Sequence, residues 1–90
     1  MLYTVYVLYS PNYDRLYIGQ TEDLENRLQQ HFAGEVKSTK HWLPMSLIYT
    51  ENASTRAEAM KREKQLKSRS GRVWLKRNFI MAEHVCRTTD

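Results

Sequence analysis

Val5-Tyr6-Val7-Leu8-Tyr9-Ser10-Pro11-Asn12-Tyr13-Asp14-Arg15-Leu16-Tyr17-Ile18-Gly19 decides how this chain folds. Leu2 to Tyr9 and Arg15 to Gly19 are short runs rich in β-branched and aromatic residues, and Ser10 to Asp14 between them is built of turn formers. Two such runs pair as an antiparallel hairpin. If Tyr9 and Leu16 face each other near its closed end, alternation along both strands puts Tyr6 and Tyr17 on one face. Tyr3 and Tyr9 then fall on the other face, where packing is the expected role, as it is for Tyr49.

Beyond the hairpin, Thr21 is placed to cap a helix from Glu22 to Ala33, with Gly34 following as a stop. The expected core stripe of this helix is Leu24, Leu28 and Phe32, and Arg27 and His31 border it at i, i+4, within reach of the sheet. Glu35 to Pro44 is polar and basic and reads as a surface loop, before Met45 to Thr50 supplies a third strand. Thr55 and Glu58 form a capping-box pattern opening a second helix that ends before Gly71. Trp74 to Met81 is a short amphipathic segment whose Trp74, Leu75, Phe79 and Ile80 cover one side of the core. The pattern is β-β-α-β-α-α, an α+β domain with a small three-stranded antiparallel sheet flanked by helices. The expected boundaries are a domain over residues 1–82 and a flexible tail over 83–90.

Ninety residues suffice for one modest core. With 14 Lys+Arg against 10 Asp+Glu, the net charge of +4 is small, but its distribution is lopsided. Lys61, Arg62, Lys64, Lys67, Arg69, Arg72, Lys76 and Arg77 share a stretch whose single acid is Glu63, which suits either a polyanion binder or a solvated helix face. The lone Cys86 cannot form an intramolecular disulfide and fits a reducing compartment. Neither a signal peptide nor a membrane span is legible, so the cytoplasm is the expected location and no membrane partner is expected.

The chemistry-bearing oddity is Glu63, which a helical wheel places in the apolar face between Ala59, Met60 and Leu66. A carboxylate there needs an ion pair, to Arg27 or a neighbouring lysine, or a bound cation. One carboxylate is too few for calcium but suits Mg²⁺ (or Mn²⁺), which keeps several waters and is completed by phosphate oxygens. Phosphodiester cleavage requires a group to activate water, a cation on the leaving oxygen and a cationic donor on the phosphoryl oxygens. Tyr6 or Tyr17, Glu63 with its metal, and Arg27 match those three roles. A phenol is a poor base unless neighbouring cations such as Arg27, Lys40 or the metal lower its pKa. His31 is readable as a core-edge histidine, as a phosphate contact or proton carrier, or as a metal ligand. Lys37, Lys40 and His41 in the loop, with Lys64, Lys67, Arg69 and Arg72 further on, are candidate contacts to a DNA backbone.

Taken together these segments resemble the GIY-YIG nuclease superfamily, and closely its small single-domain bacterial branch. Val5-Tyr6-Val7-Leu8-Tyr9-Ser10 is similar to the first motif and Leu16-Tyr17-Ile18-Gly19 to the second. Asp23 to His31 resembles the arginine helix, and Ala59-Met60-Lys61-Arg62-Glu63 the metal-ligand helix. Thr4-Val5-Tyr6 replaces Gly-Ile-Tyr, keeping the tyrosine and losing the glycine. The resemblance implies a single divalent metal on Glu63, catalytic roles for Tyr6, Tyr17, Arg27, His31 and Glu63, and hydrolysis of DNA in repair or processing. It implies as well that specificity comes from DNA structure, a protein partner or self-association. The alternative is a nucleic-acid-binding module of the same fold without turnover.

Overall fold

The computed structural model describes residues 2–81, all but the Met81 side chain. The expected boundary at residue 82 and the tail 83–90, with His84 and Cys86, lie outside the described residues.

Strands β1 (Tyr3–Ser10), β2 (Arg15–Thr21) and β3 (Ser46–Ala53) form one antiparallel sheet in the order β2-β1-β3. Tyr9 pairs with Leu16 and Tyr6 with Gly19, the register that places Tyr6 and Tyr17 on the same face. Pairing of β1 with β3 slips by one residue between Val7 and Leu8, a bulge that leaves Ile48 without an opposite number. Both faces of the sheet are covered. On one, Val5, Val7 and Ile18 pack against Ala59, Leu66 and Leu75 of helices α2 (Arg56–Lys67) and α3 (Arg69–Lys76). On the other, Tyr6, Leu8 and Met45 meet Leu24 and Leu28 of α1 (Leu24–Phe32), with Trp42 and Leu43 from the following segment. The chain is thus α+β with the expected element order, and among the described residues no helix is long and apolar enough to cross a membrane.

Several local expectations are corrected. Thr21 still belongs to β2, so the cap of α1 passes to Asp23, whose carboxylate accepts the Asn26 N–H at 3.2 Å. Thr21 instead accepts the Asp23 N–H at 3.1 Å. Phe32 is 46% exposed and His31 fully buried. Helical projection gives the reason, because residue 31 lies only about 20° from Leu24 around the axis and residue 32 about 80°. Met60 is likewise 54% exposed, about 100° round from Ala59. Helix α1 ends as expected, with the Gly34 N–H bonded to the His31 carbonyl and the Glu35 N–H to the Gln30 carbonyl.

The second capping box is present: Thr55 Oγ1 accepts the Glu58 N–H, while Glu58 accepts the backbone N–H of Ser54. Helix α2 stops earlier than expected, at Ser68, which donates to the Gln65 carbonyl and caps α3 by accepting the Gly71 N–H. Gly71 therefore lies inside a helix. A Cβ there would stand 2.3 Å from the Gln65 carbonyl oxygen, so the corner between α2 and α3 is too tight for any side chain. Trp74 and Phe79 close around Tyr49 at centroid distances of 5.6 and 5.0 Å, covering the end of the helix-side core.

Candidate active site

The face of the sheet under α1 buries polar groups in its centre. Tyr6 projects from β1 with its hydroxyl 2.8 Å from His31 Nε2, and His31 Nδ1 is 2.8 Å from Thr39 Oγ1. All three side chains are essentially inaccessible, at 1%, 0% and 0% exposure. Thr39 ends the loop before the 3-10 turn Lys40–Trp42 and has the Val36 carbonyl 3.5 Å from its hydroxyl. Tyr17 completes the cluster, its ring centroid 4.9 Å from that of His31 and 6.1 Å from that of Tyr6.

Gly19, opposite Tyr6 in the hairpin, makes this arrangement possible. A Cβ at that position would lie 2.8 Å from the Tyr6 hydroxyl and 3.0 Å from the Tyr17 ring, so the phenol lies across bare backbone. The glycine closing the second motif is thus a packing requirement of the first motif's tyrosine.

Arg27, one turn before His31 on α1, lies beside both phenols; bonding to Tyr6 is the main reason its pKa is raised. Its guanidinium also donates to Gln30 at 3.1 Å. Burial pushes the Tyr6 phenol up to about 12 despite the opposing effect of Arg27. Of the cations named above, Arg27 by itself does not bring the phenol below its ordinary value, and Tyr6 is protonated at neutral pH. Burial, and then the charge of Arg27, lower the pKa of His31 below its ordinary value of 6.5, which keeps the imidazole neutral.

A neutral imidazole carries one proton, and one arrangement satisfies both contacts: Tyr6 donates to His31 Nε2, and Nδ1 donates to Thr39, whose hydroxyl faces the Val36 carbonyl. Every donor in the chain Tyr6, His31, Thr39 then has an acceptor. Both ring nitrogens of His31 face side-chain oxygens, and among the described residues neither is bonded to backbone. Thr39 went unnoticed in the sequence, because a threonine in an aperiodic polar loop carries no signal of burial.

The helix of Glu63 lies on the other side of the sheet. It packs through Ala59 and Leu66 onto the Val5 and Val7 face, and the Glu63 carboxylate accepts from Lys67 Nζ at 2.9 Å, the lysine pairing foreseen as one alternative. Among the described residues no hydrogen bond or ion pair joins it to Tyr6, Tyr17, Arg27, His31 or Thr39, and no three His, Cys, Asp or Glu side chains gather as a metal site. Lys37, Lys40, His41, Lys64, Lys67, Arg69 and Arg72 are all exposed.

A three-stranded antiparallel sheet with paired phenols, an arginine helix on one face and a glutamate helix on the other defines a nuclease-type α+β domain. The chain belongs to the GIY-YIG family: residues 2–78 match the model of the GIY-YIG catalytic domain. It is 40% identical over 67 residues to a UPF0213 protein of Natronomonas pharaonis, covering 73% of this chain and 78% of that one. A UPF0213 protein of Staphylococcus haemolyticus is 42% identical over 62 residues, 68% of this chain and 76% of that one. Among solved structures, the solution NMR structure of a UPF0213 protein from Bacillus halodurans superimposes with a TM-score of 0.52 at 31% identity, covering 83% of this chain and 82% of the other.

Proposed function

We propose that the protein is a divalent-metal-dependent DNA endonuclease or nickase that works in DNA repair or processing. The observation that carries this reading is the buried hydrogen bond from Tyr6 to a neutral His31, with Arg27 and Tyr17 beside it. A structural core gains nothing from aligning a phenol, an imidazole and a guanidinium that apolar groups of the same shape could replace.

Tyr17 is the more exposed phenol and faces the attacking water, while Tyr6 is the phenol bonded to His31. As the water oxygen bonds to phosphorus, its proton passes along the phenols and comes to rest on His31 Nε2, and the bond from phosphorus to the leaving oxygen breaks. Arg27 holds the phosphoryl oxygens and stabilises the charge that grows on them. The negative phosphate offsets the charge of Arg27 on His31, so the imidazole gains basicity when substrate is bound.

Glu63 is the residue that would hold Mg²⁺ or Mn²⁺. Its carboxylate is a hard oxygen donor, partly exposed, and its surface pair with Lys67 is worth at most about 1 kcal/mol, so the lysine yields easily to a cation. With one protein ligand the ion would keep most of its waters, as Mg²⁺ does. Once bound, it would supply positive charge to the leaving oxygen.

The pairing of Glu63 with Lys67, on a helix packed against the opposite face, favours a second reading, a nucleic-acid-binding module without turnover. Incubating the purified chain with nicked, branched, duplex and single-stranded DNA separates the two. Cleavage that needs Mg²⁺ or Mn²⁺ and is lost in Glu63→Ala is expected. Cleavage undiminished in that variant, or in excess chelator, contradicts the metal role, and binding without cleavage by the wild type favours the second reading.

A further inference from the structure

Between the tip of the β1–β2 hairpin and the corner of α2 and α3 lies a cleft of about 460 Å³ whose walls carry Arg15, Lys67, Arg69, Arg72 and Lys76, with Asp14 as their only acid. Asp14 is fully engaged. Its Oδ1 accepts the Tyr9 hydroxyl and its Oδ2 accepts Lys76 Nζ, both at 2.9 Å, which ties the hairpin tip to α3. These donors hold its carboxyl below the usual carboxylate range, so the tie persists at neutral pH. Lys67 is bonded to Glu63. Among the described residues Arg15, Arg69 and Arg72 form no ion pair, although these residues, from two distant segments, border one cavity.

Arg69 and Arg72 on the cleft wall and Arg15 at its rim leave its positive charge unneutralised, which suits a polyanion. Guanidiniums match phosphate oxygens with paired N–H donors, a geometry that lysine lacks. Arg15 stands where the two faces of the sheet meet: the residue borders the cleft, and its guanidinium carbon lies 4.7 Å from the centroid of Trp42, a residue of the tyrosine-side core. Tyr17 lies two residues further along β2, roughly 7 Å at about 3.4 Å per residue.

We infer that this cleft binds the phosphodiester backbone of a nucleic acid next to the phosphate held at Tyr17 and Arg27, with Arg15, Arg69 and Arg72 as its phosphate ligands. The strand crosses the β2 edge at Arg15. The inference rests on the proposed nuclease reading for the identity of the polyanion alone. It separates the basic residues picked out in the sequence: Lys67, Arg69 and Arg72 line the track, Lys64, Lys37, Lys40 and His41 do not, and Arg15 and Lys76 join it.

The test is fluorescence anisotropy of labelled duplex and single-stranded DNA in excess chelator over a range of KCl concentrations, with thermal melting as a control for folding. The variant Arg15→Ala/Arg69→Ala/Arg72→Ala changes exposed side chains and should melt close to the wild type. It should flatten the slope of log K against log salt by roughly two to three, at about 0.9 per lost phosphate contact on duplex. A wild-type slope in the triple variant overturns the inference. So does a slope flattened instead by Lys37→Ala/Lys40→Ala, which would put the DNA over the other loop. Failure of the wild type to bind either DNA while it binds poly-glutamate would overturn it too, by assigning the cleft to an acidic polypeptide. Chelator keeps the outcomes apart: a cleft that binds DNA in a protein that never cleaves sinks only the nuclease reading, and cleavage with an unchanged triple-variant slope sinks only the cleft.

Discussion

The two faces of the sheet bury side chains for different ends. On the helix side, Val5, Val7, Ile18, Ala59, Leu66 and Leu75 form an apolar core with no internal polar atom to satisfy. On the α1 side, burial is as complete, but Tyr6, His31 and Thr39 occupy its centre, joined through bonds of 2.8 Å. Full burial of a leucine contributes about 1.5–3 kcal/mol, whereas a hydrogen bond exchanged for water nets about 1 kcal/mol. The polar face is therefore the less stabilising way to fill a core. The difference supports the proposed reading, in which chemistry shaped that face and the other holds the domain together.

Replacing Leu75 by alanine should break the stabilising face. A fully buried leucine lost to a cavity costs about 2–5 kcal/mol, to be read from denaturant unfolding, and turnover per folded molecule should stay near that of the wild type. A comparable loss of turnover in the folded fraction would mean that the two faces are not separable. On the chemical face, Arg27→Ala should slow turnover by about 10²-fold or more with a much smaller change in DNA affinity. Equal losses of rate and affinity would reduce Arg27 to an ordinary binding residue.

Much of this division was legible in the sequence. Alternation in the hairpin, anchored at Tyr9 opposite Leu16, put Tyr6 and Tyr17 together, and the three strands followed from the pattern of elements, though not their order. What escaped was decided by contacts across the fold. The depth of His31 depends on the small angular gap between positions 24 and 31, which a stripe drawn through Phe32 conceals. Thr39 is buried because its loop folds under α1, and nothing in Glu35 to Pro44 has a period that announces it. The position of Glu63 was half legible: its place on the stripe of Ala59 and Leu66 is sound, but which face of the sheet that stripe covers is a property of the chain's winding.

A smaller effect sharpens the proton assignment. Thr39→Val keeps the shape and removes the acceptor for His31 Nδ1, at a cost of about 1–3 kcal/mol for the orphaned N–H. In ¹⁵N spectra of the imidazole, the wild type should show a protonated Nδ1 and a bare Nε2, and the variant should lose that preference. A wild-type His31 carrying its proton on Nε2 would contradict the assignment.

The smallest expected effect is on acid stability. Because the folded pKa of His31 is lowered from 6.5, the unfolded chain takes up the proton first as the medium is acidified. The stability that the neutral imidazole contributes is complete above that unfolded value and declines as pH falls from it through the folded pKa. Replacing His31 by glutamine should flatten this part of the stability profile, as measured by urea unfolding across the acidic range. An unchanged profile would show that His31 titrates normally.

The claim on which the account turns is that the Tyr6 hydroxyl belongs to the reaction and not only to the core. It is tested most directly by single-turnover cleavage of DNA in Mg²⁺, comparing the wild type with Tyr6→Phe at saturating enzyme. The ring and its packing survive that change, and the link to His31 does not. The account predicts cleavage by the wild type and a rate lower by about 10²-fold or more in the variant, the usual scale for losing a positioned proton-transfer group, with DNA affinity retained. A Tyr6→Phe protein that cleaves at the wild-type rate would contradict it.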